Sequence, residues 1–379
     1  MEGPRTPPPL PAKPSRVPPA PAFAAVRLMF SWMILGCPST VSQGGEDGVL
    51  RVGTFNASLF RDPPRELAAD VRDGDAQVHD VASIVRAVDA DVMLMNEVDA
   101  GEAASVLASR WFHYRWHFAP RVNTGEPTGL DLDRDGALGG PGDAKGFGRR
   151  PGQYGMVVFS RHPIAVDEVR CFGDRLWRDV EDAALPPEWY SAEALAVLPL
   201  SSKNHCVVPV DVRGRRLHLL VSHPTPPVFD GPEDRNGRRN HDEIRLIVEM
   251  LDGLPHDARA VVLGDLNADP EDGDTFEDPM RMLLEHPRLQ DPRPTSRGAV
   301  VAAREQGGRN ADHRGAAELD TADWPEDLSG NLRVDYVLPS RNLQVLGAGV
   351  YWPAPDEPGA EWIDASDHRF VWADLAWPR

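Results

Sequence analysis

Two short segments combine an apolar run with polar residues that could do chemistry. The run that starts at Val261 ends in Asp265 and Asn267, and a second run near the end of the chain has Asp367 and His368 before it. A buried strand delivers polar groups to the rim of its sheet in this way. Polar ends on two strands predict one site where those ends meet. An acid, an amide and a histidine together suit the hydrolysis of a phosphate ester on a divalent metal.

The composition limits the class of partner. The 379 residues include 59 acidic and 40 basic side chains, a formal net charge of -19. A protein this acidic is repelled by polyanions, so nonspecific binding to duplex DNA is disfavoured, although a local basic patch could still bind it. The length allows one large α/β domain or two ordinary ones.

Residues 1–48 differ from the rest of the chain. Residues 1–21 are rich in proline with scattered cations, and residues 22–36 are mostly apolar and lead to Cys37. A cationic start, a short apolar core and small residues at the exit describe an export signal that is too short to span a membrane comfortably. We expect an exported protein, with lipid attachment at Cys37 as one form of export. A misassigned start codon and a disordered tail are the alternative, and residues 49–379 form the predicted domain.

Two more cysteines, Cys171 and Cys206, lie within that domain. In an exported protein they could form a disulfide, which would constrain the unfolded chain. Two unpaired, half-buried thiols fit the sequence equally well. No cysteine spacing indicates zinc.

The apolar pattern predicts more strands than helices. Strands are predicted at 49–56, 91–95, 156–160, 207–212, 217–222, 260–264, 334–338, 344–351 and 368–376, and helices at 78–88 and 238–251. Strand pairs follow one another without a helix between them, which excludes a doubly wound parallel sheet. Two packed mixed sheets with helices outside fit this order better.

Six short motifs follow one another, each at a predicted strand end. They are Thr54-Phe55-Asn56, Asn96-Glu97, Ser222-His223, Gly264-Asp265-Leu266-Asn267, Val334-Asp335-Tyr336 and Ser366-Asp367-His368. In these motifs and their order the chain, from about residue 50 to its end, resembles the endonuclease/exonuclease/phosphatase superfamily, and within it a bacterial exported branch. The resemblance implies a four-layer α/β/β/α sandwich of two mixed β-sheets flanked by helices. It also implies a phosphoesterase that depends on Mg²⁺ or Mn²⁺.

Three residues are the expected metal ligands. Glu97 ends an apolar strand, and carboxylates in such places are the hard oxygen ligands that Mg²⁺ prefers. Asp367 and Asn56 are its expected companions, Asn56 either through its amide oxygen or by holding a neighbouring ligand. The alternative for Glu97 is a surface or helix-start acid.

Five residues are the expected catalytic groups. We assign Asp265 to orienting and deprotonating the attacking water and Asn267 to holding the water or the developing oxyanion. On an extended segment two residues that are two apart face the same side; the alternative is an Asp/Asn turn that caps its own backbone. His368, with its ring held by Asp335, is expected to be cationic near neutral pH and to donate a hydrogen bond to a phosphate oxygen. His223 is the second imidazole at the same phosphate.

An unusual concentration of arginine follows the second imidazole. Arg235, Arg238 and Arg239, with Asn240, could clamp a second substrate group, because guanidinium forks suit phosphate oxygens. A solvated helix face paired with acids explains the same residues equally well. Lys203 could add one more cation.

The long insertion between motifs contains a possible calcium loop. Asp131, Asp133 and Asp135 alternate as in such loops, but Gly142 occupies the twelfth position, where a glutamate is usual, and Asp143 comes one step later. A structural Ca²⁺ and a flexible acidic loop remain as alternatives.

The sequence therefore predicts an exported, metal-dependent hydrolase that acts on a small or lipid-borne phosphate ester and is a monomer. An extracellular or periplasmic nuclease is the second hypothesis, and a catalytically silent binding module of the same fold is the third.

Overall fold

The computed structural model describes residues 48–62 and 66–378. The predicted export signal, the proline-rich segment and Cys37 lie outside these residues. Among the described residues, no helix combines the length and the apolar character that a membrane span requires.

The described chain contains short strands and helices joined by long loops. The strands are β1 Val49–Asn56, β2 Val92–Asn96, β3 Trp116–Phe118, β4 Met156–Ser160, β5 Arg170–Cys171, β6 His205–Val212, β7 Arg215–Ser222, β8 Ala260–Asp265, β9 Ala322–Asp323, β10 Asn331–Leu332, β11 Asp335–Pro339, β12 Val345–Tyr351 and β13 Phe370–Ala376. The helices are α1 Leu67–Asp73, α2 Ala76–Val88, α3 Ala103–Val106, α4 Ala192–Leu195, α5 Arg235–Asp252, α6 Pro279–Leu284 and α7 Arg297–Gln306. All eleven predicted elements are present, with boundaries shifted by at most three residues.

The strands form two large mixed sheets. The first has the order β12-β13-β1-β2-β4-β3 and the second β11-β8-β7-β6-β5. Each sheet contains one parallel pair, β1 with β2 and β7 with β8, and the other neighbours are antiparallel. Each parallel pair is joined through helices, α1 and α2 in the first sheet and α5 in the second.

Three apolar clusters fill the spaces between layers. The facing sides of the two sheets share one cluster, which includes Val52, Leu219 and Leu263. Helices α1 to α3 cover the outer face of the first sheet through a second cluster, which includes Val85 and Phe159. Helices α5 and α6 cover the outer face of the second sheet through a third. The layers are therefore helix, sheet, sheet and helix, as the sequence predicted.

The strand directions bring the polar motifs to one edge. The last residues of β1 and β2, Asn56 and Asn96, are paired in the parallel register. In the second sheet β11 runs antiparallel to β8, so its first residue, Asp335, pairs with the last residue of β8, Asp265. In the same way β13 runs antiparallel to β1, which brings the segment before Phe370 to the end of β1. Every strand end that carries a motif therefore opens on the same edge of the sandwich.

Cys171 and Cys206 are directly opposite each other in the β5–β6 pair and form a disulfide. Of the two alternatives that the sequence left open, the structure has the bonded one. The bond fixes the short edge strand β5 to the beginning of β6, shortly after Lys203.

Candidate active site

Asp265 is the centre of the polar cluster. Its side chain is buried, and its Oδ2 atom accepts a hydrogen bond of 2.9 Å from the amide nitrogen of Asn56. The Nε2 atoms of His223 and His368 lie 3.4 and 3.6 Å from the same oxygen. Burial alone would raise the pKa of Asp265, but the facing imidazoles, His368 first, hold it well below its usual range. Asp265 therefore stays ionised throughout the neutral pH range.

His368 is held between two carboxylates. Its Nδ1 atom is 2.9 Å from Oδ2 of Asp335, which also accepts a hydrogen bond of 2.9 Å from the hydroxyl of Thr321. Burial would lower the pKa of His368, but Asp335 and then Asp265 raise it well above its usual value. The two carboxylates therefore favour the cationic form of the imidazole, and Asp335 fixes its orientation. The role of His368 at a phosphate stays a prediction.

His223 has the opposite electrostatic environment. Burial, and then the charge of Lys203, lower its pKa to about 4, so this ring is neutral at neutral pH. Its Nδ1 atom is buried and has no hydrogen-bond partner among the described residues, whereas Nε2 faces Asp265. We assign the single proton to Nε2 because only that nitrogen has an acceptor.

Glu97 and Asp367 form an acidic pair beside this cluster. Burial, and then the charge of Asp367, raise the pKa of Glu97 to about 7. Glu97 has a left-handed backbone, with φ of 59°, which few residues other than glycine adopt, and such outliers often occur at functional sites. The charges of the two carboxylates repel each other, and a cation between them would relieve that repulsion. These hard oxygen donors fit a divalent metal such as Mg²⁺.

Asn56 uses both ends of its side-chain amide. The Oδ1 atom accepts a hydrogen bond of 3.2 Å from the backbone of Ser58, and the amide nitrogen donates to Asp265. The amide therefore holds Asp265 in place, and its side chain also hydrogen-bonds Glu97 and lowers the pKa of that acid. Its role at a metal stays a prediction.

Asp265, Asp335 and His368 also have ligand atoms within 4.8 Å of one another. Within that group, however, Asp335 is hydrogen-bonded to the His368 ring. A cationic imidazole has no lone pair for a metal. The assignment of the metal to Glu97 and Asp367 stays a prediction.

Asn267 reaches the site, but not in the way that the sequence suggested. Its φ of 52° is left-handed, so the segment after Asp265 is a turn and not an extended strand. Oδ1 of Asp265 accepts a hydrogen bond of 2.9 Å from the Asn267 backbone, and the Asn267 side chain donates to the carbonyl of Pro224 at 3.1 Å. The turn that the sequence offered as an alternative is thus present, and it is what fixes Asn267 next to Asp265.

Lys203 lies at the site. Its side chain is buried, and its Nζ atom donates to the carbonyl of Pro224 at 3.3 Å. Burial lowers its pKa, and Glu243, Glu97 and Asp265 act in the opposite direction. Lys203 therefore lies among the acidic groups of the site.

The clamp predicted on helix α5 is not formed by Arg239 and Asn240. Arg239 is buried and donates to the carbonyls of Leu200, Pro199 and Lys145. Asn240 is fully buried and donates to two carbonyls of the site loops, those of Thr225 and Leu266. These two side chains hold loops, because carbonyl partners occupy their donors.

The other two arginines of the predicted clamp are partly exposed. Arg235 pairs with Glu233 and lies over the ring of Trp189, 5.2 Å from its centroid. Arg238 lies over Phe276 at 4.2 Å. A role for either in binding substrate stays a prediction.

The acidic loop gathers a different set of carboxylates from the predicted one. Asp131 and Asp133 have oxygens within 4.8 Å of Asp143, and Asp135 is not part of that group. Asp143 is buried and accepts hydrogen bonds from three backbone N–H groups of its own loop, and Asp135 caps the backbone of Ala137. The candidate calcium ligands are therefore Asp131, Asp133 and Asp143 in place of Asp135, and a bound Ca²⁺ stays a hypothesis.

Four polar residues of the site were not singled out from the sequence. Asn96 accepts a hydrogen bond from the backbone of Asp265 at 3.3 Å, and Ser58 donates to Asp367 at 2.8 Å. Trp324 donates to Asp367 at 3.1 Å and packs edge-on against His368, and Thr321 bonds Asp335. Asn96 sits inside a quoted motif, which could have identified it. The other three come from loops without a distinctive spacing.

Comparison with known proteins agrees with this geometry. The model of the Endonuclease/Exonuclease/phosphatase family matches residues 53–368. No curated protein matches the chain. A solved structure of an endonuclease/exonuclease/phosphatase from Beutenbergia cavernae DSM 12333 is 21% identical, with a TM-score of 0.52, over 87% of this chain and 72% of that one. This likeness shows the fold.

Two other solved structures have a TM-score of 0.46. Sphingomyelinase C from Streptomyces griseocarneus is 16% identical over 86% of this chain and 99% of that one. TDP2 from D. rerio, in complex with a single-strand DNA product, is 13% identical over 87% of this chain and 99% of that one. Neither bears on the substrate of this chain. The family match covers most of the sequence, and the chain therefore belongs to the endonuclease/exonuclease/phosphatase family, whose members are metal-dependent hydrolases of phosphoester bonds.

Proposed function

We propose that this hydrolase cleaves a small or lipid-borne phosphate ester and that it uses Mg²⁺ or Mn²⁺. The observation that carries the proposal is the position of two imidazoles, the cationic His368 and the neutral His223, beside the same oxygen of the ionised Asp265. Those three groups can bind the phosphate oxygens and orient a water molecule at the same time.

The site residues have different roles because their charges differ. Asp265, always ionised, orients the attacking water; its lowered pKa makes it a weak proton acceptor, so orientation is its main role. His368 donates a charge-assisted hydrogen bond to a nonbridging oxygen, and the neutral His223 donates a second one from Nε2. Asn267, fixed by its turn, offers an amide to the water or the oxyanion.

Glu97 and Asp367 would hold the divalent cation. When bound, the cation neutralises developing negative charge on the phosphate. Ser58 and Trp324 orient Asp367 for that role, since each donates a hydrogen bond to one of its oxygens.

Two substitutions test the proposal. Asp265→Asn and His368→Ala should each lower turnover of p-nitrophenyl phosphate or its bis ester by at least about a hundredfold. His256→Ala, at an exposed histidine outside the site, is the matched control. Removal of metal with a chelator should abolish turnover, and added Mg²⁺ or Mn²⁺ should restore it. Unchanged rates in both variants would overturn the assignment of these residues and favour a silent binding module.

The substrate class needs a separate experiment. The net charge of -19 favours a small or lipid-borne phosphate over a long polyanion. The nuclease alternative is tested by comparing plasmid DNA with a panel of phosphomonoesters, with Mg²⁺ and with chelator. Nicking of DNA at rates far above any monoester turnover would decide for the nuclease.

We also propose that the protein is exported. The disulfide between Cys171 and Cys206 supports export, because such bonds persist mainly in oxidising compartments. Fractionation of cells that express the chain with and without residues 1–48 is the test. Retention of both forms in the cytoplasm would refute the proposal.

A further inference from the structure

Three aromatic rings form a row that starts beside the acidic pair. The ring centroids of Phe60 and Tyr154 are 4.6 Å apart, and those of Tyr154 and Phe147 are 6.5 Å apart. We call these three residues the aromatic row. Phe147, at the outer end, is 57% exposed, so the row leads outward to solvent.

The inner end of the row is attached to the segment that follows Glu97. The backbone N–H groups of Val98 and Ala100 donate to the carbonyls of Gly155 and Gly152, on either side of Tyr154, at 3.0 and 2.8 Å. Tyr154 itself has a left-handed φ of 55°. Because its backbone is fixed in a conformation that tyrosine rarely adopts, the position of its ring is set by the fold.

Phe60 approaches from the loop that follows β1. Its neighbour Leu59 accepts a hydrogen bond of 3.2 Å from the backbone of Asp99, and Arg61 donates to the Asp99 carboxylate at 2.7 Å. The other Asp99 oxygen accepts from the backbone of Tyr154 at 3.2 Å. One buried acid thus fixes the backbone at Tyr154 and directly after Phe60.

Phe147 is exposed but its backbone is fixed. A Cβ atom on Gly146 would lie 1.9 Å from the carbonyl oxygen of Ser202, and one on Gly148 would lie 2.8 Å from the nitrogen of Gly125. Both flanking residues therefore pack directly on neighbouring backbone. Ser202 precedes Lys203, so the backbone at the outer end of the row packs on the segment that leads to Lys203.

Single exposed apolar side chains are ordinary on protein surfaces. Phe147 differs in that its backbone is closely packed and its ring continues a row in which Tyr154 is close enough to Glu97 to interact with its charge. A fixed aromatic ring provides binding area at little cost in conformational entropy.

We propose that the aromatic row binds an aromatic ring of the substrate, a nucleobase or an aryl group, while the attached phosphate lies between His368 and His223. This proposal rests on the proposed function and adds a substrate class to it. The row is only three rings long, which fits one planar ring system better than a long acyl chain. Aromatic rings attract one another in tilted and offset arrangements, and a stacked base contributes about 1–3 kcal/mol.

The test compares two esters that differ only in aromaticity. Benzyl phosphate and cyclohexylmethyl phosphate have leaving groups of similar shape, and each is assayed as monoester and as methyl diester with Mn²⁺. Phe147→Leu keeps an apolar side chain but removes the ring. It should lower kcat/KM for the benzyl esters by about 5- to 150-fold, from a stacking energy of about 1–3 kcal/mol, and leave the cyclohexylmethyl esters within about twofold.

Phe229→Leu is the control, since Phe229 is 73% exposed and lies outside the row. It should leave kcat/KM unchanged for both the benzyl and the cyclohexylmethyl esters. Thymidine 5′-phosphate, assayed beside the benzyl esters, distinguishes a nucleobase from a simple aryl group; a selective loss with either supports the proposal. Equal losses for benzyl and cyclohexylmethyl esters would overturn it in favour of an aliphatic group, and no loss for either would overturn it outright.

Binding separates this proposal from the proposed function. Benzylphosphonate has no ester bond, and its binding can be measured by calorimetry in the presence of Mn²⁺. Binding that weakens in Phe147→Leu supports the row even if the protein turns over no ester. Turnover of both esters with unchanged binding in the variant would overturn the row alone.

Discussion

Replacing Asp335 with asparagine tests the central electrostatic argument. Asp335 is fully buried and contacts the Nδ1 atom of His368 at 2.9 Å, on the side of the ring opposite Asp265. Asparagine has nearly the same shape and can still accept a hydrogen bond from the ring. The substitution therefore removes the negative charge and leaves the packing.

The expected loss follows from that contact. A hydrogen bond to a charged partner contributes about 1.5–3 kcal/mol, so kcat/KM should fall by about 10- to 150-fold. Because Asp335 raises the pKa of His368, its removal must lower that pKa. The protonated ring is then lost at lower pH, and the alkaline limb of the rate profile should move to lower pH.

The assay is the pH dependence of kcat/KM for bis-p-nitrophenyl phosphate, with His368 followed by NMR in the same protein. Thr321→Ser is the control, because serine keeps the hydroxyl that bonds Asp335. It should change the rate by less than about threefold. An alkaline limb that stays in place in Asp335→Asn, or moves to higher pH, would refute the assigned charge of His368.

Three further predictions concern stability and metal binding. Burial, and then Asp269 with other acids, raise the pKa of Asp320 to about 8. Folding therefore binds a proton between about pH 4 and pH 8, and stability falls as pH rises through that window. Asp320→Asn should stabilise the protein by a few kcal/mol at about pH 8 and little at about pH 4, as measured by urea unfolding. Breaking the disulfide between Cys171 and Cys206, which are 35 residues apart, should cost about 4 kcal/mol in the same assay. Trp324→Phe removes the donor to Asp367 and should weaken Mn²⁺ binding, measured by calorimetry, by about 10-fold.

Each of these predictions has a control and a contrary outcome. Asp257→Asn, at an exposed acid, should show no such pH trend, and an equal effect of Asp320→Asn at both pH values would contradict the burial argument. A serine variant of both cysteines should be insensitive to reductant. Unchanged Mn²⁺ affinity in Trp324→Phe would remove Asp367 from the set of metal ligands.

The strand ends of the site were predictable from sequence because each apolar run stops abruptly at a polar residue. β8 ends at Asp265 and β2 leads into Glu97, and burial of the strand leaves only its end available for polar chemistry. The sheet order then requires those ends to meet. The four-layer fold followed from the same pattern, together with the family resemblance.

The surroundings of the site were not predictable in this way. The left-handed backbone of Asn267 depends on hydrogen bonds to Asp265 and Pro224, which sequence spacing does not reveal. Arg239 looked like a phosphate ligand because arginine often is one, but it donates to carbonyls of the insertion, at Lys145, and of the segment before β6, at Pro199 and Leu200. The contact of Trp324 with Asp367 joins residues 43 positions apart, without a local signal.

The bonds that cross between the sheets have a consequence for folding. Asn56 and Asn96 extend from the first sheet to Asp265 in the second, and Asn96 also donates to Ser222 at 3.4 Å. Neither sheet alone contains all the residues of the site. Hydrolytic activity should therefore be lost at the denaturant concentration at which the whole domain unfolds. A cation that binds only the assembled edge would raise the unfolding midpoint of the entire sandwich by mass action.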